Sequence, residues 1–227
     1  MILAILQARM SSSRLPGKVL APVLGEPMIG RQIERVGRAR SIDRLVVATS
    51  DDPSDDPLAA YVERLGALVF RGSLQDVLGR FTAAADAFGP AEHIVRLTAD
   101  CPLTDPTVID ACVALHLETG ADYTTNGQQR TYPVGLDVEA LPAAALATAD
   151  REASDPYDRE HVTAFLYRRP ERFKLAHLRQ AVDRSALRWT VDHPADLDFV
   201  RRVYEALYPT KPDFTSADVE ALPFSHS

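Results

Sequence analysis

Apolar positions along the chain fall into short continuous runs that alternate with helical stripes. Ile2 to Leu6 is a continuous apolar run that breaks into a Ser-rich loop containing Pro16 and Gly17, as a buried strand feeding a loop does. A helix is expected next, with Pro27 in its first turn and Ile29, Ile33 and Val36 at i, i+4 and i+7. Leu45 to Thr49 is β-branched and bounded by the turn formers Ser50 to Pro53, which predicts a second strand. The second helix starts near Pro57, turns Leu58, Val62 and Leu65 inward, and stops at Gly66. Leu68 to Phe70 reads as a strand, and Ser73 with Asp76 three residues on opens a helix that runs through Phe88 to Gly89-Pro90. His93 to Leu97 is the fourth apolar run. After the loop Thr98 to Asp105, Asp105 is placed to cap a helix with Pro106 in its first turn and Val108, Ile109, Cys112 and Val113 inward.

This alternation predicts a mostly parallel sheet covered on both faces, an α/β sandwich of three layers whose ligands sit where loops leave the carboxyl ends of strands. Residues 1–120 form its core. Beyond Gly120 the rhythm loosens, with strands expected at Tyr123 to Thr125, Leu136 to Val138 and Lys174 to Leu178, and helices near Ala143 to Ala149 and Glu160 to Arg169. Residues 121–185 are therefore read as a small lobe for acceptor binding or dimerisation. In residues 186–208 the run Leu187 to Val191 returns as a strand, and Pro194 opens a helix with Leu197, Val200, Val203 and Leu207 inward. Residues 209–227, with Pro209, Pro212 and Pro223, read as an irregular tail. All 227 residues fit one domain.

Composition narrows the class. With 46% apolar and 25% charged residues the chain has ordinary globular make-up. No run approaches the length of about 20 apolar residues that a membrane span needs. Cys101 and Cys112 form neither a zinc spacing nor a disulfide framework, which suits a reducing, cytoplasmic setting. The net charge of -7 argues against a nucleic-acid partner. Within residues 1–40, seven basic residues face only Glu26 and Glu34, a local +5 that leaves -12 for the remainder. That asymmetry suits a small anionic ligand at the amino-terminal end, although Arg31, Arg35, Arg38 and Arg40 read as the solvated face of a helix.

The loop Gln7-Ala8-Arg9-Met10-Ser11-Ser12-Ser13-Arg14-Leu15-Pro16-Gly17-Lys18 combines three cations, three hydroxyls and exposed amides after the first strand. These are the requirements of a polyphosphate site, and equally the make-up of a solvated basic loop. It is not a P-loop, and the chain holds no G-x-G-x-x-G fingerprint. Asp100 follows the fourth strand and Asp192 follows the late apolar run. Each could ligate a hard cation or cap a local turn. Asp196 and Asp198 imitate a D-x-D pair within a helix and read as surface acids. Arg130, Tyr132, Asp137, Arg159, Glu160, His161 and Arg188 form a further polar set outside the sheet core, in which arginine forks suit carboxylate or phosphate. His161 fits a structural hydrogen-bonder as well as a base. Trp189 and Tyr157 read as packing residues.

The run Q-A-R-M-S-S-S-R-L-P-G-K-V-L resembles the opening signature of the cytidylyltransferases that activate acidic sugars, among them Kdo and acylneuraminate cytidylyltransferases, and most of all their spore coat polysaccharide biosynthesis protein F subfamily. The likeness continues in Arg71-Gly72-Ser73 with Asp76-Val77-Leu78, in Thr98 to Leu103, in Arg130 to Pro133 with Gly135 and Asp137, in Arg159 to Thr163 and in Arg188 to Asp192. It implies a GT-A-like, Rossmann-like nucleotide-binding fold, a homodimer, and transfer of CMP from CTP to a small anionic acceptor with Mg2+ and release of pyrophosphate. By the same resemblance Gln7, Ala8, Arg9, Ser11, Ser12, Arg14, Lys18, Arg71 and Thr98 hold the nucleotide. Arg9 and Lys18 act on the leaving pyrophosphate, and Asp100 and Asp192 bind the metal. The set from Arg130 to Arg188 receives the acceptor. Where Kdo enzymes read Q-G-D-E-P this chain reads Thr98-Ala99-Asp100-Cys101-Pro102, a change that bears on base selection. A glycosyltransferase of the same fold and a non-catalytic nucleotide-binding regulator are the alternatives.

Overall fold

Strand β1 (Ile2–Gln7) turns Leu3 and Ile5 to one face of the sheet and Ala4 and Leu6 to the other, and all four side chains are fully buried. Such double burial is what a continuous apolar run requires. The computed structural model describes residues 1–224. A two-stranded hairpin, β2 (Pro22–Val23) with β3 (Glu26–Pro27), follows the Ser-rich loop. In the main sheet β4 (Arg44–Ser50) and β5 (Leu68–Gly72) extend β1 in parallel on one side and β6 (His93–Thr98) on the other. Next come β7 (Tyr123–Thr125), β8 (Glu139–Pro142) and β9 (Leu175–His177), giving the order β5-β4-β1-β6-β8-β7-β9 with β8 antiparallel to both its neighbours.

Helices α1 (Met28–Val36) and α2 (Asp56–Arg64) cover one face, and α3 (Val77–Phe88) covers the other. The first face is completed by α4 (Pro106–Thr119), the second by α5 (Ala143–Glu152) and α7 (Ala164–Tyr167). The mostly parallel, three-layer α/β fold expected from the alternation is present. Asp105 caps α4 by accepting the Thr107 N–H, and Asp76 caps α3 by accepting the Gly79 N–H.

Several expectations are corrected. The helix expected over 160–169 is broken into α6 (Pro156–Glu160) and α7, because Val162 takes a left-handed backbone, φ 53°, between them. Leu65 is not inward: α2 ends at Arg64, and Leu65 is 45% exposed. Leu136 to Val138 precedes β8 instead of forming it, since Asn126 takes over the pairing with its side chain, to the Leu136 carbonyl and the Val138 N–H. Leu187 to Val191 is no strand of the sheet. It is an extended strap whose one ladder bridge pairs Val134 with Arg188.

Beyond the sheet a third core gathers Trp189, Val191 and Leu136 under α8 (Pro194–Leu207), with Phe214 and Val219. Val219 lies in α9 (Ser216–Glu220), so the supposed tail is helical in part and packed, while residues 225–227 of that expectation lie outside the described residues. Arg31 and Arg35 are buried and not solvated, and the packed tail explains Arg35. Arg31 donates to the Val23 and Leu24 carbonyls, and Arg35 donates to the Thr104 and Phe214 carbonyls with its guanidinium 4.1 Å from the Phe214 ring. Tyr157 is a surface residue rather than a packing one, 48% exposed with its ring tilted against that of His161.

Candidate active site

The carboxyl ends of β1 and β6 open onto a cavity of about 230 Å³ lined by Gln7, Ala8, Arg9, Ser12, Ser13, Arg14, Lys18, Val19, Thr98, Ala99, Asp100 and Asp192. Three cations, three hydroxyls and two carboxylates thus converge on one space. The loop after β1 is folded on itself: the Met10 carbonyl accepts the N–H groups of Ser12 and Gly17. Gly17 can do this because its φ of 72° is open to glycine. Lys18 begins a short 3-10 turn, Lys18–Leu20, and its ammonium is directed inward to the Val191 carbonyl at 2.5 Å and to Asp192 at 3.3 Å.

Asp192 arrives from the far end of the chain on the strap. Trp189 N–H donates to the Val134 carbonyl, and Val191 N–H donates to the Asp100 carbonyl at 2.8 Å. The Thr190 hydroxyl adds a bond to the same Asp100 carbonyl at 3.2 Å. The two carboxylate-bearing residues are therefore tied through backbone. Gly135 makes room for the strap, because a Cβ there would stand 2.7 Å from the Thr190 nitrogen.

Asp192 accepts from Arg14 at 2.7 Å and from Arg188 at 2.6 Å, in addition to Lys18. Burial alone would raise its pKa, but the Arg188 hydrogen bond and the Lys18 charge outweigh it and hold the carboxyl below its ordinary value. Asp196, expected as a surface acid, instead accepts the N–H groups of Asp192 and His193 in a capping box that fixes the strap's exit into α8. Asp198 is the exposed acid expected, paired with Arg201. Asp100 accepts the Thr98 hydroxyl at 2.6 Å and the Cys101 thiol at 3.4 Å, its only side-chain partners among the described residues. Burial, then the Asp100 charge, push the Cys101 thiol well up, so it stays protonated.

Ser11 and Arg71 do not line the cavity. Arg71 is occupied by the Ser50 and Asp52 carbonyls and by Asp56. Of the polar set expected for the acceptor, Arg188 meets the cavity through Asp192. Arg130 pairs with Asp137, Arg159 holds Asp76 and Asp150, and Tyr132 packs beside the cores. Glu160 ends α6, and His161 lies tilted against the Tyr157 ring, neither of them lining the cavity. Ser13, Val19 and Ala99 line the cavity without having stood out in the sequence. The hydroxyl of Ser13 was one of three in a row, and the two apolar residues carry no chemical signal.

The donor set facing the cavity is oxygen only, which fits a hard divalent cation. Among the described residues no group of three or more His, Cys, Asp or Glu is placed to hold a metal. Protein ligation would thus rest on one or two carboxylates, with phosphate and water completing the shell, as Mg2+ commonly accepts. Asp100 is the freer of the two, since Asp192 already holds three cations.

Residues 3–208 match the sequence profile of the cytidylyltransferase family. The chain is 34% identical to the spore coat polysaccharide biosynthesis protein SpsF of Bacillus subtilis, with 97% of this chain and 93% of that protein aligned. It is 40% identical to the 3-deoxy-manno-octulosonate cytidylyltransferase of Geobacter sulfurreducens over 50% of this chain and 44% of that enzyme. Among solved structures, a cytidylyltransferase from Leptospira borgpetersenii superposes with a TM-score of 0.90 at 32% identity, covering 96% of this chain and 91% of that one. A CMP:2-keto-3-deoxy-manno-octonic acid synthetase complexed with CTP shares the fold, with a TM-score of 0.70 at 19% identity over 90% of this chain and 98% of that one.

Proposed function

The chain belongs to the cytidylyltransferase family, and we propose that it transfers CMP from CTP to an anionic sugar or a related acid or phosphate, releasing pyrophosphate, with Mg2+ as cofactor. The observation that carries this reading is the meeting of Arg9, Arg14 and Lys18 with Asp100 and Asp192 around one cavity at the carboxyl edge of the sheet. An acceptor oxygen attacks the α-phosphorus in line, the bond from that phosphorus to the bridging oxygen breaks, and pyrophosphate leaves. Such transfers are catalysed mainly by positioning and charge neutralisation. Arg9, Arg14 and Lys18 supply the positive charge for the leaving group, and Ser12 and Ser13 supply hydroxyl donors. Asp100 and Asp192 would hold Mg2+, which when bound neutralises phosphate charge that the side chains leave unmet. Arg14, Lys18 and Arg188 keep Asp192 placed before the nucleotide enters. The acceptor-binding role of the polar set from Arg130 to Arg188, and of residues 121–185 in dimer formation, belongs to this proposal, as does a cytoplasmic place of action. Among the described residues no helix is long and apolar enough to cross a membrane.

The place of the Bacillus relative in spore coat polysaccharide biosynthesis favours a precursor of a surface polysaccharide as product. The test is pyrophosphate release measured with CTP, UTP, ATP and GTP against a panel of 3-deoxy sugar acids, sugar phosphates and phosphonates, with and without Mg2+. Turnover with CTP and an acidic acceptor is expected; a clear preference for another nucleotide would overturn the choice of base, which Thr98 bears on most directly.

A further inference from the structure

Asp55 has no surface on the cavity, yet its wholly buried carboxylate holds the root of the loop that lines it. One oxygen accepts the Met10 N–H at 2.6 Å; the other accepts the Ser50 N–H at 3.1 Å and the Ser50 hydroxyl. The parallel ladder between β1 and β4 closes with the Ala8 N–H on the Ala48 carbonyl, so Met10 lies past the last strand partner and its half-buried N–H takes a side-chain acceptor instead. The carbonyl of the same residue, in the next peptide unit, accepts the Ser12 and Gly17 N–H groups. One residue, Met10, thus gathers both ends of the Ser-rich turn through its carbonyl, and one carboxylate fastens that residue through its N–H to the end of β4.

Resting on the reading that this loop grips the triphosphate, we propose that Asp55 is a positioning residue for the transfer, setting where Arg9, Ser12, Arg14 and Lys18 stand without touching the nucleotide. Only a carboxylate meets the need. It faces three donors, and an ionised carboxylate is the one side-chain group that accepts through two oxygens and donates nothing. An asparagine has a single acceptor oxygen, and its amide hydrogens oppose either the Met10 N–H or the two Ser50 donors. Asp55 is also the negative charge that bears most strongly on Arg80, which is 2% exposed and lies within the field of Arg9. Neutralising Asp55 leaves the Arg80 charge less compensated beside Arg9.

The experiment is calorimetric binding of CTP and of CMP, in Mg2+ buffer, to the wild-type protein and to Asp55→Asn, with KM and kcat measured alongside. The wild type is expected to bind CTP more tightly than CMP. In Asp55→Asn that triphosphate advantage is expected to fall about tenfold, the size set by one buried donor left without an acceptor. CMP affinity and the KM for the acceptor should stay unchanged while the KM for CTP rises. A purely structural role would lower the amount of active protein and leave both dissociation constants alone, or weaken CTP and CMP equally; either result, or a retained advantage, overturns the proposal. If Asp55→Asn does not fold, Ser50→Ala decides, because it removes one of the three donors to the same carboxylate. A loss of about two- to fivefold in the CTP advantage supports the proposal, and no loss overturns it. A wild-type protein that binds CTP no better than CMP defeats the reading of the loop itself, which separates that failure from a failure of Asp55.

Discussion

Lys18 and Asp192 stand 3.3 Å apart across the cavity, with the Lys18 ammonium also on the Val191 carbonyl, so Lys18 joins Arg14 in tying the first loop to the late strap. Removing that ammonium leaves Asp192 with Arg14 and Arg188, which keeps the carboxylate paired. Lys18→Ala is therefore expected to retain the wild-type melting profile and to lose about 10²–10³ in pyrophosphate release, the usual cost of one charge-stabilising donor. Wild-type turnover in this variant would take the loop out of the chemistry.

Of the two carboxylates lining the cavity, Asp100 has the fewer side-chain partners. In Asp100→Asn the Mg2+ concentration that supports half-maximal pyrophosphate release should rise about tenfold or more, as expected when a metal loses a charged ligand or its support. The measurement is a Mg2+ titration at saturating CTP, preceded by chelation, which should abolish turnover in both proteins.

At Gly135 the φ of 107° and the 2.7 Å approach to Thr190 leave no room for a side chain. Gly135→Ala has to displace the strap, and the strap carries Asp192. A loss of about 1–3 kcal/mol in urea unfolding is expected, together with a kcat defect that low temperature does not restore. Unchanged stability would mean that the strap can move freely.

Arg35 is 2% exposed and supplies hydrogen bonds to the Thr104 and Phe214 carbonyls. Arg35→Ala strands both acceptors and removes the cover over Phe214, at a cost of about 2–4 kcal/mol in equilibrium unfolding. An Arg35→Ala protein as stable as the wild type would show that the carbonyls find water.

Acid should weaken the fold through His116. Its ring is 1% exposed and sits 2.9 Å from the His93 ring nitrogen, with Thr124 on its other side. Burial first, and then His93, push its pKa down to about 4. A histidine whose folded pKa lies below its unfolded value of about 6.5 contributes stability that is complete above that unfolded value and is lost as pH falls toward 4. The loss is expected to approach 3 kcal/mol by about pH 4, and His116→Gln should flatten that part of the curve. Urea midpoints between pH 4 and 7 check both statements.

Legibility in the sequence followed the range of the interaction. The strands β1, β4, β5 and β6 and their helices were marked by apolar runs, Pro and Gly punctuation and caps such as Asp105, all signals carried within a few residues. The basic loop was visible for the same reason, as charge and hydroxyls on consecutive positions. The buried state of Arg35 was not, because it depends on carbonyls at Thr104 and Phe214 and on a tail whose prolines imitate disorder. Asp55 carried no local mark at all, since its partner Met10 lies 45 positions away.

By itself, then, the sequence determined the alternating α/β architecture and the cationic loop at the end of β1, since periodicity, turn chemistry and charge are written in neighbouring residues. Tertiary structure alone decided that Asp192 reaches Asp100 through the strap, that three cations converge on Asp192, and that Arg71 is occupied elsewhere. Those outcomes depend on which distant backbone N–H and C=O groups remain unpaired once the sheet closes. No pattern of neighbouring residues records that.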